Sequence, residues 1–468
     1  MQLTRAPFAR WEQVGNEVVF ISPDFKLVTD TSILGLLPTS QTKWVPSSEE
    51  LNILQRYGIL TDYISEISQY LFNLERYFES EEIELIIEQK GSTVPEAALN
   101  AYGYRVTSPK SSCIGFGVDS IKEIALLKAI AEFYERYSCD VCRNKVDTPV
   151  EAADKLTTEL IKFADWQYDL EDFPYSRNAS QKWIKLHGIA NHNIAYAPLE
   201  YVCYPDGLLW GKMCDASSNG VAAHTNFEEA LIRSVYELIE RDAFMLHWFN
   251  QIPATIIEHP VALQERISHL EALGFHIHFL RLNCLAATTI MVILTRKGEK
   301  YPRLLLGLAT SGDPAIAAAK ALEEVELNVT YLNADIVFPN SASKITGIMD
   351  HQFWYDLPNN HFEVEKLIGK NRIEIVDIPR VENNIGLILG ALHSNGLDWY
   401  YAELNTPARY TTGLYVVRSI VPGIVPINFG YQMEPLGMER IQNPPSEYGS
   451  SFNQSRLTRD GYRVQPFS

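Results

Sequence analysis

The sequence predicts an α/β (α+β) chain with mixed sheets, and three observations carry that expectation. Segments of strand alternation and segments of helical periodicity follow one another along most of the chain. The content is 46% hydrophobic and 21% charged, with 26 Gly and 24 Pro, which excludes a disordered, collagen-like or low-complexity protein. The 468 residues suffice for one large domain with an appendage, or for a few domains.

In chain order, residues 1–90 read as a small N-terminal α/β module, either winged-helix-like or partner-docking, and residues 91–468 as the main domain. An added layer on that domain is the alternative for the first segment. WEQVGNEVVFISPDF reads as two short strands around Gly15-Asn16. SSEELNILQRYGIL reads as a short helix ending near Gly58, ISEISQYLFNLERYF as a further helix, and EEIELIIEQ as a strand. In the main domain LLWGKMCDASSNG predicts a strand and a turn. HIHFLRLN, TIMVILTRK, RLLLGLATSG, NRIEIVDIP, LDWYYAELN and LYVVRSIVPGIVPIN predict strands. ITGIMDHQFWYDL and GALHSNG predict shorter helical or loop segments.

Several function classes fall away. A net charge of −18 argues against broad nucleic-acid binding. No run of about 18 apolar residues predicts a membrane span, and MQLTRAPFARWEQVGNE lacks a signal-peptide core, so a cytoplasmic location is expected. Glycosylation at Asn178, Asn328 and Asn453 is accordingly not expected. With six cysteines a disulfide framework is not expected, and Cys139-x-x-Cys142 reads as a pair of buried thiols.

The most informative pattern is an internal repeat, Ala-x-x-basic-small-x-x-Glu. It runs from Ala125 to Glu132, from Ala230 to Glu237 and from Ala317 to Glu324. Each copy follows a turn-rich entry. Ser120/Glu123 and Thr225/Glu228 have capping-box spacing, and Asp313-Pro314 supplies an N-cap with proline at the first helical position. Each copy is therefore expected to be a helix that starts after a strand and loop. The first two copies continue as E-x-x-E-R, Glu132 to Arg136 and Glu237 to Arg241. At 100° per residue Glu132 and Glu135 share a face, and Glu229 shares one with Glu240. Both helices are apolar almost all round, which predicts burial. Five acids (Glu132, Glu135, Glu229, Glu237 and Glu240) then face two arginines, Arg136 and Arg241. Either the helices hold a buried Glu–Arg network, or the surplus carboxylates bind Mg²⁺ together with phosphate. No Walker A loop is present: Gly211-Lys212 is followed by Met213, and Gly115-Phe116-Gly117 is a lone GxG. His224, in the loop before the second helix, is weighed as a general base and set aside. His247 is expected to pack with Phe244, Trp248 and Phe249.

GFGVDSIKEIALLKAIAEFYERYS, SSNGVAAHTNFEEALIRSVYELIERDAF and SGDPAIAAAKALEE resemble the YcaO family over roughly residues 91–468. YVVRSIVPGIVPINFG resembles the late segment of its azoline-forming members, the cyclodehydratase D proteins of peptide natural-product pathways. The resemblance implies ATP and Mg²⁺ as cofactors. It places metal-binding acids at Glu132, Glu135, Glu229, Glu237 and Glu240, and phosphate-contacting or bracing groups at Arg136 and Arg241. Ser218 and Asn219 would line the nucleotide cleft. The implied activity converts Cys, Ser or Thr residues of a ribosomally made precursor peptide into thiazolines or oxazolines. Thioamide or amidine formation, or a non-catalytic scaffold, are the alternatives. The implied partners are a precursor peptide with its leader, an E1-like leader-binding protein, a flavin-dependent dehydrogenase and further copies of the chain. Arg463-Val-Gln-Pro466-Phe467-Ser468 resembles a family tail that reaches the active site, which makes Pro466, Phe467 and Ser468 the implied catalytic segment. Leu327 stands where many members have Gln, so the third copy is expected to contribute less.

Overall fold

The computed structural model describes residues 10–14, 17–21, 26–30, 59–90, 102–119, 121–145, 150–152, 159–160, 180–203, 217–258, 260–298, 301–331, 338–357, 360–405, 408–431, 433–448 and 464–466. Among these the strands form four sheets. Arg10–Val14, Glu17–Ile21 and Lys26–Asp30 make an antiparallel meander, in which the expected first hairpin is present. Ile86–Lys90, Tyr102–Ser108 and Ser111–Asp119 make a second three-stranded sheet. The helix Ile59–Ser80 supplies Leu74, Tyr77 and Phe78 to the core that also holds Phe133 and Tyr134 of the helix Lys122–Lys145. The expected boundary at residue 90 falls inside this sheet. The expected helix ending at Gly58 and the strand in LLWGK lie outside the described residues.

The five-stranded sheet runs in the order Leu304–Ser311, Thr288–Arg296, Phe275–Leu282, Ala254–Ile257, Ile368–Ile373. Every residue of its first two strands is buried. Side chains alternate across a strand, so one set, Met291, Ile293, Leu306 and Leu308, packs toward the helix Phe227–Asn250. The other set, Ile290, Val292, Leu294 and Leu305, packs under the helix Pro314–Tyr331. Burial on both faces explains why these strands read as continuous apolar runs. The seven-stranded sheet places Val221–His224 at its edge, followed by Tyr415–Ile420, Tyr400–Glu403, Ser180–Gly188, Ile194–Pro198 and Glu159–Leu160. Val150–Ala152 pairs with Ser180–Gly188.

The three repeat copies are helices: Lys122–Lys145, Phe227–Asn250 and Pro314–Tyr331. The third starts as expected, with the Asp313 carboxylate accepting from the Ala315 N–H at 3.0 Å. The second starts one residue later than expected. Its N-cap is Asn226, which accepts from the Glu229 N–H, and not Thr225, because Asn226 places its acceptor on the third helical amide. Ser120 lies outside the described residues, and the Asp119 carboxylate accepts from Ile121 at the first entry.

Three further expectations are corrected. IVPGIVPIN beyond Ile420 is not strand: the Val425 N–H donates to buried Asp242, which also pairs with Arg440, and that contact pulls the chain off the sheet. NRIEIVDIP contains only the end of the strand Ile368–Ile373 and then turns through Ile375–Asp377. The Cys139/Cys142 pair is not two thiols. Cys142 is bridged to Cys203, 61 residues away, while Cys139 stays free and buried. Neither local pattern nor spacing signals a partner so distant.

Candidate functional site: a carboxylate relay between three helices

The three copies share one local geometry. In each, the motif Glu accepts a backbone N–H from the strand or turn before its own helix. Glu132 accepts from Phe116 at 2.5 Å, Glu237 from Gly220 at 2.9 Å and Glu324 from Leu308 at 2.7 Å. A close approach of helix to strand makes this possible. A Cβ at Gly115 or Gly117 would collide with the carbonyl oxygens of Ala129 and Ala125, and one at Gly307 with that of Ala321. The small residues of the repeat and the facing glycines are therefore one packing device, and the lone GxG belongs to it.

The second acid of E-x-x-E reaches across to the next copy. Glu135 of the first helix accepts from the Ala223 N–H at 2.9 Å, and Glu240 of the second accepts from the Thr310 N–H. Ala223 lies three residues beyond Gly220, and Thr310 three beyond Gly307. The equivalent position in the third helix is Leu327, where the relay of carboxylates stops. The third helix instead returns to the first through charge: Lys128 pairs with Glu323 at 2.6 Å.

Five acids are thus gathered: Glu132, Glu135, Glu237, Glu240 and Glu324. Glu324 is not among the acids named from the sequence, where Leu327 makes the third copy the one expected to contribute less. The repeat pattern itself was the signal that locates it, and the third copy contributes a full carboxylate. Glu229 shares the expected face, but eleven residues along the helix put it about 16 Å from Glu240 along the axis, where it faces Arg233 at 4.0 Å. Arg136 pairs with Glu132 at 2.8 Å and donates to the Ile114 carbonyl. Arg241, with a side chain only 13% exposed, stands 3.8 Å from Glu237 and 3.9 Å from Glu240. Arg418 is a base that the sequence reading missed. It is buried in the strand Tyr415–Ile420, donates to the Val202 carbonyl at 2.9 Å and acts electrostatically on Glu237. A basic residue inside the apolar run LYVVRSIV was its only signal.

The electrostatics follow from five acids against three arginines in a desolvated place. Burial holds Glu135 well above the ordinary carboxylate range, and the charges of Glu237 and Glu132 add to it. Glu237 is raised by burial although Arg241 opposes the shift. Glu240 and Glu324 are both raised by burial, opposed by Arg241, and each is pushed further by neighbouring acids. Such a set is relieved by an incoming cation, and its donors are all oxygen, which fits Mg²⁺ with phosphate. Among the described residues no three acids, histidines or cysteines are placed as a ready-made chelate. The carboxylates are held open by backbone N–H groups and arginines.

The remaining expected residues are placed as follows. Asn219 is buried and donates its amide to the Ile427 carbonyl at 2.9 Å, while the Ser218 carbonyl accepts from Val221. Both therefore shape the turn that carries Gly220. His224 accepts from the Asn226 N–H and stiffens the second helix entry. His247 is buried, and its ring packs against that of Tyr448 at 5.6 Å. It lies 2.7 Å from the Ala243 carbonyl and accepts from Asn283, and burial lowers it to about 4. Pro466 is buried, and Phe467 and Ser468 lie outside the described residues. No helix among the described residues is long and apolar enough to cross a membrane.

The family model that matches residues 116–425, about two thirds of the chain, is described as YcaO cyclodehydratase, ATP- and Mg²⁺-binding. An uncharacterized protein of Methanothermobacter thermautotrophicus (strain Delta H) is 25% identical over 329 residues, 66% of this chain and 80% of that protein. Among solved structures, a heterocyclase in complex with substrate and cofactor is similar with a TM-score of 0.66 at 17% identity. That match covers 84% of this chain but only 57% of the heterocyclase, so the chain spans little more than half its length. YcaO from Methanopyrus kandleri, bound with AMPPCP and Mg²⁺, matches with a TM-score of 0.55 at 16% identity, over 75% of this chain and 90% of that one. The E. coli microcin synthetase McbBCD complex with pro-MccB17 bound gives 0.54 at 13% identity, over 82% and 96%. The α+β fold is that of these structures, and ATP with Mg²⁺ are the cofactors. Matched over most of its length, the chain belongs to the YcaO cyclodehydratase family.

Proposed function

We propose that the chain is the ATP-dependent cyclodehydratase component that converts Cys, Ser or Thr residues of a ribosomally made precursor peptide into thiazolines or oxazolines. The observation that carries the reading is the crowd of raised carboxylates between the three helices. When bound, Mg·ATP supplies the phosphoryl group that turns a backbone amide oxygen into a leaving group. Glu132, Glu135, Glu237 and Glu240, with Glu324, offer oxygen donors to the metal, and Glu229 offers one at the far end of the second helix. Arg136 and Arg241 hold these carboxylates in place and present N–H groups to phosphate. Ser218 and Asn219 fix the turn that lines the cleft. Pro466, Phe467 and Ser468 form the segment that approaches the peptide.

The partners in this reading are a precursor peptide with its leader, an E1-like leader-binding protein, a flavin-dependent dehydrogenase that oxidises azolines, and further copies of the chain. The E. coli complex and the substrate-bound heterocyclase support partner and peptide as classes. The test is mass spectrometry of a precursor peptide incubated with the chain, its partner and Mg·ATP. Each ring removes the mass of one water, and Glu237→Gln abolishes both the mass loss and ATP turnover. Retention of both in Glu237→Gln refutes the site, and an O-to-S mass gain refutes the azoline chemistry.

A further inference from the structure

The helix Ile348–Tyr355 has no part in the relay, yet it grips the segment Val464–Pro466. Val464 and Gln465 are buried, Gln465 completely. The Tyr355 hydroxyl donates to the Val464 carbonyl, and His351 Nδ1 lies 2.7 Å from the Gln465 carbonyl. The Gln465 side-chain amide donates to the Asn428 carbonyl at 3.2 Å. His351 Nε2 accepts the Gly430 N–H at 2.8 Å. A nitrogen that accepts carries no proton, so the ring proton sits on Nδ1 and is donated to Gln465. Burial lowers His351 to about 4, so the ring stays neutral and keeps this tautomer at neutral pH. Phe429 packs edge-on against the imidazole at 5.6 Å. Tyr355 in turn packs edge-on against Trp248, on the helix that carries Glu237 and Glu240.

We infer that His351 is a positioning residue: it locks Val464–Pro466 to the Asn428–Gly430 loop and so fixes where the Pro466–Ser468 segment begins. Both of its ring nitrogens are committed, one to each side of the lock, and recognition is through backbone atoms. The effect on turnover rests on the proposed function, whereas the lock itself does not.

The experiment compares wild type, His351→Leu and His351→Asn in the full chain, with partner protein, precursor peptide and Mg·ATP. Amide exchange over residues 464–468 and the kcat and KM for ATP are read together. In His351→Leu exchange rises about tenfold or more, and kcat for peptide modification falls about tenfold or more, while the KM for ATP stays put. Asparagine keeps a donor near the Nδ1 position and recovers part of both. Deleting 464–468 costs at least as much as His351→Leu, and adding His351→Leu to that deletion costs nothing further, because His351 then has no segment to position. If His351→Leu is too unstable to assay, Tyr355→Phe removes one donor only and raises exchange by a smaller factor. Unchanged exchange in the Leu and Phe variants overturns the lock. A parallel rise in KM for ATP, or an additive loss on deletion, overturns the positioning role. Raised exchange with no peptide modification by the wild type leaves the lock standing and removes the functional reading instead.

Discussion

The junction between the second and third copies and the far end of the third copy carry the same repeat but end differently. At the junction Glu240 crosses to the Thr310 N–H, as Glu135 crosses to Ala223 at the junction before it. At the far end the equivalent residue is Leu327. All three copies keep the Glu that accepts from the strand or turn before its own helix, so the inward carboxylate serves each strand–helix unit. The crossing carboxylate is what differs. The units are thus held alike, and the crossing carboxylates stand at the two junctions where one unit meets the next.

The largest expected effect breaks a junction. Glu240→Gln keeps the side-chain shape but removes a charge, and ATP turnover falls about 100-fold or more. Glu229→Gln, about 16 Å away along the same helix, costs less. Equal losses in a steady-state ATPase assay dissolve the distinction between junction and helix end.

A smaller effect comes through pH. Glu135, Glu237, Glu240 and Glu324 are all raised in the folded chain. A carboxylate raised on folding lends stability below its unfolded value and loses it as pH climbs through the folded value. Without ligand, the melting temperature is therefore expected to fall from the ordinary carboxylate range up through neutrality. The rise in melting temperature on adding Mg·ATP grows over the same interval, because the ionised acids then meet a cation. Calorimetry across a pH series checks both slopes, and Glu240→Gln makes both shallower. The smallest effect is at the third end: Leu327→Gln leaves turnover within about twofold, since no junction follows it. A large gain or loss there shows that the third end is chemically active.

Much of the site was legible in the sequence because helical periodicity is local. Glu132, Glu135, Glu237 and Glu240 are picked out by E-x-x-E-R at 100° per residue, and their charges are linked in a chain, Glu132 to Glu135, Glu135 to Glu237 and Glu237 to Glu240. Glu324 is visible in the repeat as the third motif Glu, but Leu327 beside it leads to the expectation that the third copy contributes less. Arg418, the Cys142–Cys203 bridge and the His351 lock were not legible, because each joins segments far apart in the chain. The one-residue shift of the second N-cap, from Thr225 to Asn226, shows the finer limit. Adjacent capping residues compete, and only the backbone geometry decides between them.

Lys128 and Glu323 carry a consequence of their own. They turn a row of three helices into a ring: the first copy reaches the second, the second reaches the third, and the third returns to the first. Two joints of that ring are carboxylates seated on backbone amides. The third is an ion pair with side chains 37% and 25% exposed, which dissolved salt weakens while leaving the other two nearly untouched. Rising ionic strength is therefore expected to loosen this joint before the other two.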